Sequence, residues 1–211
     1  MKNIRKAWMA VLAAAAGLIG VGGASTAQAQ QPPNVSIASV DLRGRLCRDP
    51  GQSEVDLVAG NTAFIIKFNE FNVAAGPGIP LTDKTKSCTA IVALNYPARW
   101  TWAISDIAYH GSMTLENYNV LGRFSARLSF PGTRTVSREV RRSGPFFGDF
   151  DLTTHYDDLV WAPCRPGVPM TILMTAGLDN LRDRRREGAV NVSQSDGTFQ
   201  ARCHIRWRRC G

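Results

Sequence analysis

Apolar and polar residues alternate along much of the chain beyond Val35, most regularly near its end. In Phe199-Gln200-Ala201-Arg202-Cys203-His204-Ile205-Arg206-Trp207 every second residue is apolar. A period of two sends successive side chains to opposite faces of a strand. Phe199, Ala201, Cys203, Ile205 and Trp207 are therefore expected to face a core, and Gln200, Arg202, His204, Arg206 and Arg208 to face solvent. Similar runs predict strands over Val35–Leu42, Glu54–Val58, Ala63–Asn69, Thr89–Asn95, Trp100–Tyr109, Leu115–Phe130, Arg134–Val140, Phe146–Thr154, Val168–Thr175, Ala189–Ser193 and Thr198–Trp207. Between them lie Pro50-Gly51, Gly60-Asn61, Gly76-Pro77-Gly78, Pro131-Gly132, Ser143-Gly144-Pro145, Pro166-Gly167 and Asp196-Gly197, which favour turns because Gly reaches positive φ and Pro fixes φ. Helical periodicity is scarce. About ten short strands at this spacing predict an all-β fold, an antiparallel β-sandwich or jelly-roll-like domain, with an open barrel as the competitor.

The N-terminus has a different pattern. Lys2, Arg5 and Lys6 precede an almost wholly apolar run from Ala7 to Val21, and small residues follow up to Ala27-Gln28-Ala29. This is the three-part layout of a secretory signal with an A-x-A cleavage site. The apolar run is shorter than the roughly 20 residues a membrane helix needs. The expected organisation is a signal peptide over 1–29, a short polar lead-in over 30–34 and a single β-rich domain over 35–211. The first cysteine is Cys47, too distant for a lipid anchor, and no later segment reads as transmembrane, so the expected location is secreted or periplasmic.

That location changes the reading of Cys47, Cys88, Cys164, Cys203 and Cys210. No C-x-x-C occurs, and widely spaced cysteines in an exported chain read as disulfides. Spacing alone leaves open which cysteine is unpaired and how the other four join. The core parity of Cys203 favours it as the unpaired thiol. Charge is distributed unevenly. Between Gln30 and Leu181 there are 14 basic and 14 acidic residues, whereas from Arg182 to Gly211 eight Arg face only Asp183, Glu187 and Asp196.

Several landmarks occur together: Gly44 and Cys47; Gly76-Pro77-Gly78-Ile79-Pro80-Leu81-Thr82-Asp83 before Cys88; Leu94-Asn95-Tyr96-Pro97; Gly144-Pro145 before Gly148-Asp149-Phe150; Val160-Trp161-Ala162-Pro163-Cys164; and His204-Ile205-Arg206-Trp207-Arg208-Arg209-Cys210. In these the chain resembles the small secreted fungal and bacterial proteins grouped as domain-of-unknown-function family 4360, from about Val35 to Cys210. The resemblance implies an exported, β-rich, disulfide-stapled domain and no particular activity. The family's usual four cysteines match Cys47, Cys88, Cys164 and Cys210, leaving Cys203 outside the pattern. Pairing sequential neighbours then gives the expectation Cys47–Cys88 and Cys164–Cys210.

Candidate chemistry is sparse. Arg184, Arg185 and Arg186, with Arg202, Arg206 and Arg208, are anion-binding candidates, because guanidinium forks suit phosphate, sulfate and carboxylate. Outside the cytoplasm those groups belong to acidic glycans or anionic lipids. Nucleic acid is not expected, since no RRM, KH or helix-turn-helix pattern is present. Asp149 and Asp151, with Asp157 and Asp158 beside His155 and Tyr156, are weak metal candidates, because hard cations take several carboxylates, though no EF-hand spacing occurs. Asp106 and His110 share a strand face. Trp100, Trp102 and Tyr109 suit either a sugar-stacking surface or a core. No H-E-x-x-H, G-x-S-x-G or phosphate loop appears, and no cofactor is called for. Asn34-Val35-Ser36 and Asn191-Val192-Ser193 have the form of glycosylation sites. These observations favour a non-enzymatic exported β-sandwich that binds an anionic glycan or lipid surface. The alternative is an exported hydrolase with an unrecognised active site.

Overall fold

The computed structural model describes residues 31–47, 53–193 and 195–211. The proposed signal sequence, its cleavage site and the Pro50-Gly51 turn lie outside them. The described strands are β1 (Ser36–Arg43), β2 (Ser53–Leu57), β3 (Ala63–Phe68), β4 (Asn72–Ala75), β5 (Thr85–Asn95), β6 (Trp100–Leu115), β7 (Leu121–Ser129), β8 (Val136–Ser143), β9 (Phe146–His155), β10 (Met170–Asp179), β11 (Gly188–Asn191) and β12 (Phe199–Arg209). They form two antiparallel sheets. The smaller runs β1-β5-β10-β7-β8. The larger runs β2-β3-β12-β6-β11-β4, with β9 on the other edge of β6. Among the described residues no helix is long and apolar enough to cross a membrane. The all-β sandwich expected from the alternation is the architecture observed.

The core lies between the sheets. Phe124 of β7 stacks on Tyr109 at 5.4 Å, Phe150 at 5.0 Å and Phe199 at 5.8 Å, so one ring from the smaller sheet meets three from the larger. Trp102 packs edge-on against Phe64 at 6.3 Å and Phe130 at 5.2 Å. Trp100, Trp102 and Tyr109 are all buried and serve packing rather than an exposed stacking surface. In β12 the parity of Phe199, Ala201, Cys203 and Ile205 faces this core.

Several strand boundaries differ from the sequence expectation: β6 runs on past Tyr109 to Leu115, β5 begins at Thr85, and β10 reaches Asp179. The run Leu115–Phe130 is broken after Leu115, because Asn117 makes a turn: its side chain accepts from Asn119 N–H at 2.9 Å and its carbonyl from Val120 N–H at 3.0 Å. Four-residue β4 went unrecognised because its Val73 and Ala75 give too short an alternation.

Cys47 is bonded to Cys88, with Cα atoms 5.6 Å apart, and Cys164 to Cys210, with Cα atoms 6.0 Å apart. Cys203 is an unpaired, buried thiol, and burial pushes its pKa up. Gly44 shows why the first bridge needs a glycine nearby. Its φ is +127°, and a Cβ there would lie 2.4 Å from the carbonyl oxygen of Ser87, beside Cys88. The close approach lets Leu46 N–H donate to Ser87 O at 3.1 Å and delivers Cys47 to its partner.

The second bridge ties the end of β12 to the segment that follows β9. That segment lies over the outer face of β6: Thr101 Oγ1 donates to Ala162 O at 2.7 Å, and Ala162 N–H to Trp102 O at 2.9 Å. Trp161 of this segment lies against Arg208 of β12, and Thr101 and Ala103 of β6 are buried beside it.

Candidate functional site

Beside this covering segment, β6 carries a bulge. His204 of β12 pairs with Asp106 and Ile205 with Ile104, so Ser105 is an extra residue. A bulge re-aims side chains and bends the strand locally. Ser105 and Asp106 both turn outward, between inward Ile104 and Ile107. Asp106 also pairs with His155 of β9. One row across three strands therefore reads His204, Asp106, His155.

His204 Nδ1 hydrogen-bonds to Asp106 Oδ1, and Ser105 Oγ donates to Asp106 Oδ2 at 2.7 Å. A carboxylate only accepts, so the His204 ring is the donor in that bond. Tyr156 N–H donates to Ser105 O at 2.8 Å and closes the bulge against the end of β9, while its ring turns inward and its hydroxyl donates to Ala126 O at 3.0 Å. Burial pushes the Tyr156 phenol up and keeps it neutral. Above the bulge opens a cavity of about 380 Å³ lined by Ser105, Asp106, His155, Asp157, Leu159 and Arg206, with the buried Tyr156 beneath. The Arg206 side chain makes no hydrogen bond or ion pair with any described residue. Asp157 approaches Arg138 at 4.0 Å.

The open face continues along β6 as rows set by strand register. Arg202, Ala108 and Thr153 come next, then Gln200, His110 and Asp151, then Asn191, Ser112 and Asp149. His110 lies 3.0 Å from Asp151 and 3.8 Å from Asp196, whose other contacts include Gln200 Nε2 at 2.8 Å. Asp149 accepts from Ser193 Oγ at 3.0 Å and from the Ser195 hydroxyl. The last row is Ala74, Ala189, Thr114 and Phe147, with Phe147 77 % exposed. A second cavity of about 250 Å³ sits at its small residues, bounded by Gly76, Pro77 and Ile79. All three histidines of the chain thus stand on this one face.

The structure divides the arginine candidates. Arg206 enters the cavity, Arg202 is exposed four residues before it on the same strand, and Arg208 stacks over the Trp161 ring at 4.0 Å. Arg185 instead pairs with Asp183 at 3.3 Å, and Arg186 with Glu116 at 2.6 Å and Asp183 at 3.2 Å, while Arg184 is exposed. Glu116 follows Leu115 and Arg206 pairs with Ala103, so the two groups are about 40 Å apart along β6 at ~3.3 Å per residue.

The four candidate metal carboxylates also separate. Asp149 goes to Ser193 and Ser195, Asp151 to His110, Asp157 to Arg138 and Asp158 to Arg134 at 3.7 Å. Among the described residues no three His, Cys, Asp or Glu side chains form a metal-binding set. Asn191, in one glycosylation-like triplet, accepts from Asn72 Nδ2 at 2.9 Å. Sequence reasoning placed His204 on an outward parity and Asp106 on one strand face with His110, but not Asp106 and His204 in one row, because register is not written in either strand alone. Ser105, Trp161 and Phe147 were missed; alternation around Phe147 gave the only available signal.

No curated protein matches the chain. Among solved structures, it is similar to the carbohydrate-binding module TmCBM61 in complex with β-1,4-galactotriose, at 11 % identity and a TM-score of 0.31, over 82 % of this chain and 89 % of the other. It is similar also to the family 11 carbohydrate-binding module of Clostridium thermocellum in complex with a β-1,3-1,4-mixed-linked tetrasaccharide, at 5 % identity and a TM-score of 0.22, over 80 % and 86 %. At these TM-scores neither bound sugar locates a site in this chain. Sequence assigns the family: residues 33–210 match the model described as Domain of unknown function (DUF4360), and the chain belongs to that family.

Proposed function

We propose that this protein is an exported, non-enzymatic module that binds a glycan bearing acidic groups on the outer face of its larger sheet, centred on the cavity at the β6 bulge. The observation that carries the reading is Arg206, without a salt-bridge partner, beside the carboxylates of Asp106 and Asp157 and the imidazole of His155 in one cavity. A sugar hydroxyl donates and accepts at once, so it suits a wall holding both carboxylates and basic donors. A sugar carboxylate or sulfate matches the Arg206 fork in two parallel bonds. Phe147, exposed at the far end of the same face, offers a ring for stacking against a sugar.

The arrangement fits binding better than acyl-transfer chemistry. Ser105 donates to Asp106, which also holds His204, so the carboxylate stands between hydroxyl and imidazole. A serine nucleophile needs the imidazole in that middle place. One observation favours a hydrolase as the second reading: Asp106 and Asp157 share the cavity, and glycosidases use paired carboxylates. The two disulfides suit an oxidising compartment, and an N-terminus at Gln30 in exported protein is the expected result of N-terminal sequencing; a start at Met1 would contradict processing.

Affinity electrophoresis through gels containing polygalacturonate or a neutral galactan tests the binding. The wild-type protein is expected to be retarded by the acidic gel and Arg206→Gln to migrate as in an empty gel. Equal retardation of both would overturn the assignment. Release of new reducing ends, abolished by Asp106→Asn, would establish the hydrolase instead.

A further inference from the structure

Four connections meet at the end of the sandwich far from the Arg206 cavity: β4–β5 (76–84), β6–β7 (116–120), β8–β9 (144–145) and β10–β11 (180–187). Register brings them together, since Ala75 pairs with Gly188, Gly188 with Leu115, Leu115 with Phe146, and Leu121 with both Asp179 and Ser143. The loops are cross-braced. Glu116 accepts from Arg186 Nη1 at 2.6 Å and from Glu187 N–H at 2.9 Å, and Glu116 N–H donates to Glu187 O at 3.2 Å. Lys84 Nζ donates to Asn180 Oδ1 at 2.7 Å, Asn180 Nδ2 to Arg186 O at 2.9 Å, and Gly144 N–H to Val120 O at 3.1 Å.

From this braced frame, large apolar side chains point into solvent. Leu81 is 74 % exposed, Tyr118 68 % and Leu181 67 %, each from a different loop, and Ile79 stands beside Leu81. Only two of the six exposed large apolar side chains among the described residues, Val40 and Phe147, lie outside these loops. Satisfied backbone bonds hold the loops in place, so the side chains cannot be buried by local collapse. Arg182 and Arg184 follow Leu181, and their side chains make no hydrogen bond or ion pair with described residues.

We infer that this end of the sandwich docks on an anionic bilayer, with Leu81, Tyr118 and Leu181 entering the headgroup layer and Arg182 and Arg184 meeting lipid phosphates. Apolar tips separated by charged side chains suit a fluid layer, which admits each tip singly. A tyrosine suits the headgroup level, where its ring is apolar and its hydroxyl wet. Interfacial binding combines buried apolar area with attraction of basic residues to anionic lipid. This docking is independent of the glycan reading, because it uses none of the residues on the sheet face.

Co-sedimentation of the exported, processed protein with vesicles tests it, using phosphatidylcholine alone and phosphatidylcholine mixed with phosphatidylglycerol. Wild type is expected to sediment with the mixed vesicles, and less in high salt. Leu81→Ser with Leu181→Ser is expected to weaken partitioning by about tenfold or more. Arg182→Gln with Arg184→Gln is expected to weaken it roughly fivefold per residue and to erase the preference for phosphatidylglycerol. Arg206→Gln should sediment like wild type, and matched thermal melts should show each variant folded. The inference is overturned if wild type ignores the mixed vesicles or if the leucine variant binds them undiminished. It is also overturned if gel filtration shows a dimer that the leucine substitutions dissociate, since a second copy would then cover this end.

Discussion

Two groups of arginines, similar on the page of sequence, have different work in the structure. In the loop before β11, Arg185 and Arg186 are tied to Asp183 and Glu116, and the pairs hold loops together. On β12, Arg208 lies on Trp161 and Arg206 faces a cavity with no acidic partner of its own. A count of positive charge ranks the two groups equally. What separates them is register. The loop ties Arg185 and Arg186 to its own Asp183 and Arg186 also to Glu116 of the β6–β7 connection, whereas β12 places Arg206 opposite Ala103, next to the bulge. An arginine whose charge is already answered is a brace; one that is not is available to a ligand.

Cutting the staple beneath the second group has the largest expected effect. Cys164→Ser with Cys210→Ser frees the segment that carries Trp161, Leu159 and Asp157. Loss of a native disulfide typically costs about 2–5 kcal/mol, which corresponds to a Tm lower by roughly 10 °C in a domain of this size. A calorimetric melt checks the stability, and acidic-gel retardation should fall with it because the cavity loses a wall. Next comes Arg206→Gln, with affinity for acidic glycan reduced about tenfold or more through loss of a charged hydrogen-bonding group and an unchanged melt.

Arg186→Gln should give the reverse result: glycan retardation intact and Tm lower by at most a few degrees, since exposed pairs contribute little. Its partner adds a pH dependence. The Glu187 N–H and the Arg186 guanidinium hold the Glu116 carboxyl below its ordinary 4.5. A folded value below the unfolded one means that the contribution is present above 4.5 and is lost as pH falls through the lower folded value. Glu116→Gln should flatten that part of the acid-side decline in thermal melts. The smallest effect is expected at Cys203, whose burial keeps it from reacting. Iodoacetamide should leave it unmodified in the native protein and label it only after unfolding.

The same contrast shows what sequence carries. Alternation in Phe199–Arg209 sorted its inward residues from its outward ones, and the apolar side became the core around Phe124. Turns signalled by Gly and Pro were legible, whereas the Asn117 turn was hidden because its signal is a side-chain oxygen inside an apparently continuous run. The site was less legible for a physical reason. His204, Asp106 and His155 come from three strands, and their row exists only through inter-strand pairing and one inserted residue, Ser105. Nothing local to any of the three predicts it. Arg206 was visible as an outward arginine, but the carboxylates that shape its cavity arrive from β6 and from the segment after β9.

The proposed recognition of an acidic sugar by Arg206 rests on the cavity at the bulge. Isothermal titration of wild type and Arg206→Gln with an oligogalacturonide and with the matching neutral oligosaccharide tests it most directly. Wild type is expected to bind the acidic sugar, the variant to bind it about tenfold or more weakly, and both to bind the neutral sugar weakly and equally. Equal affinity of the two proteins for the acidic sugar, with both fully folded, would contradict it.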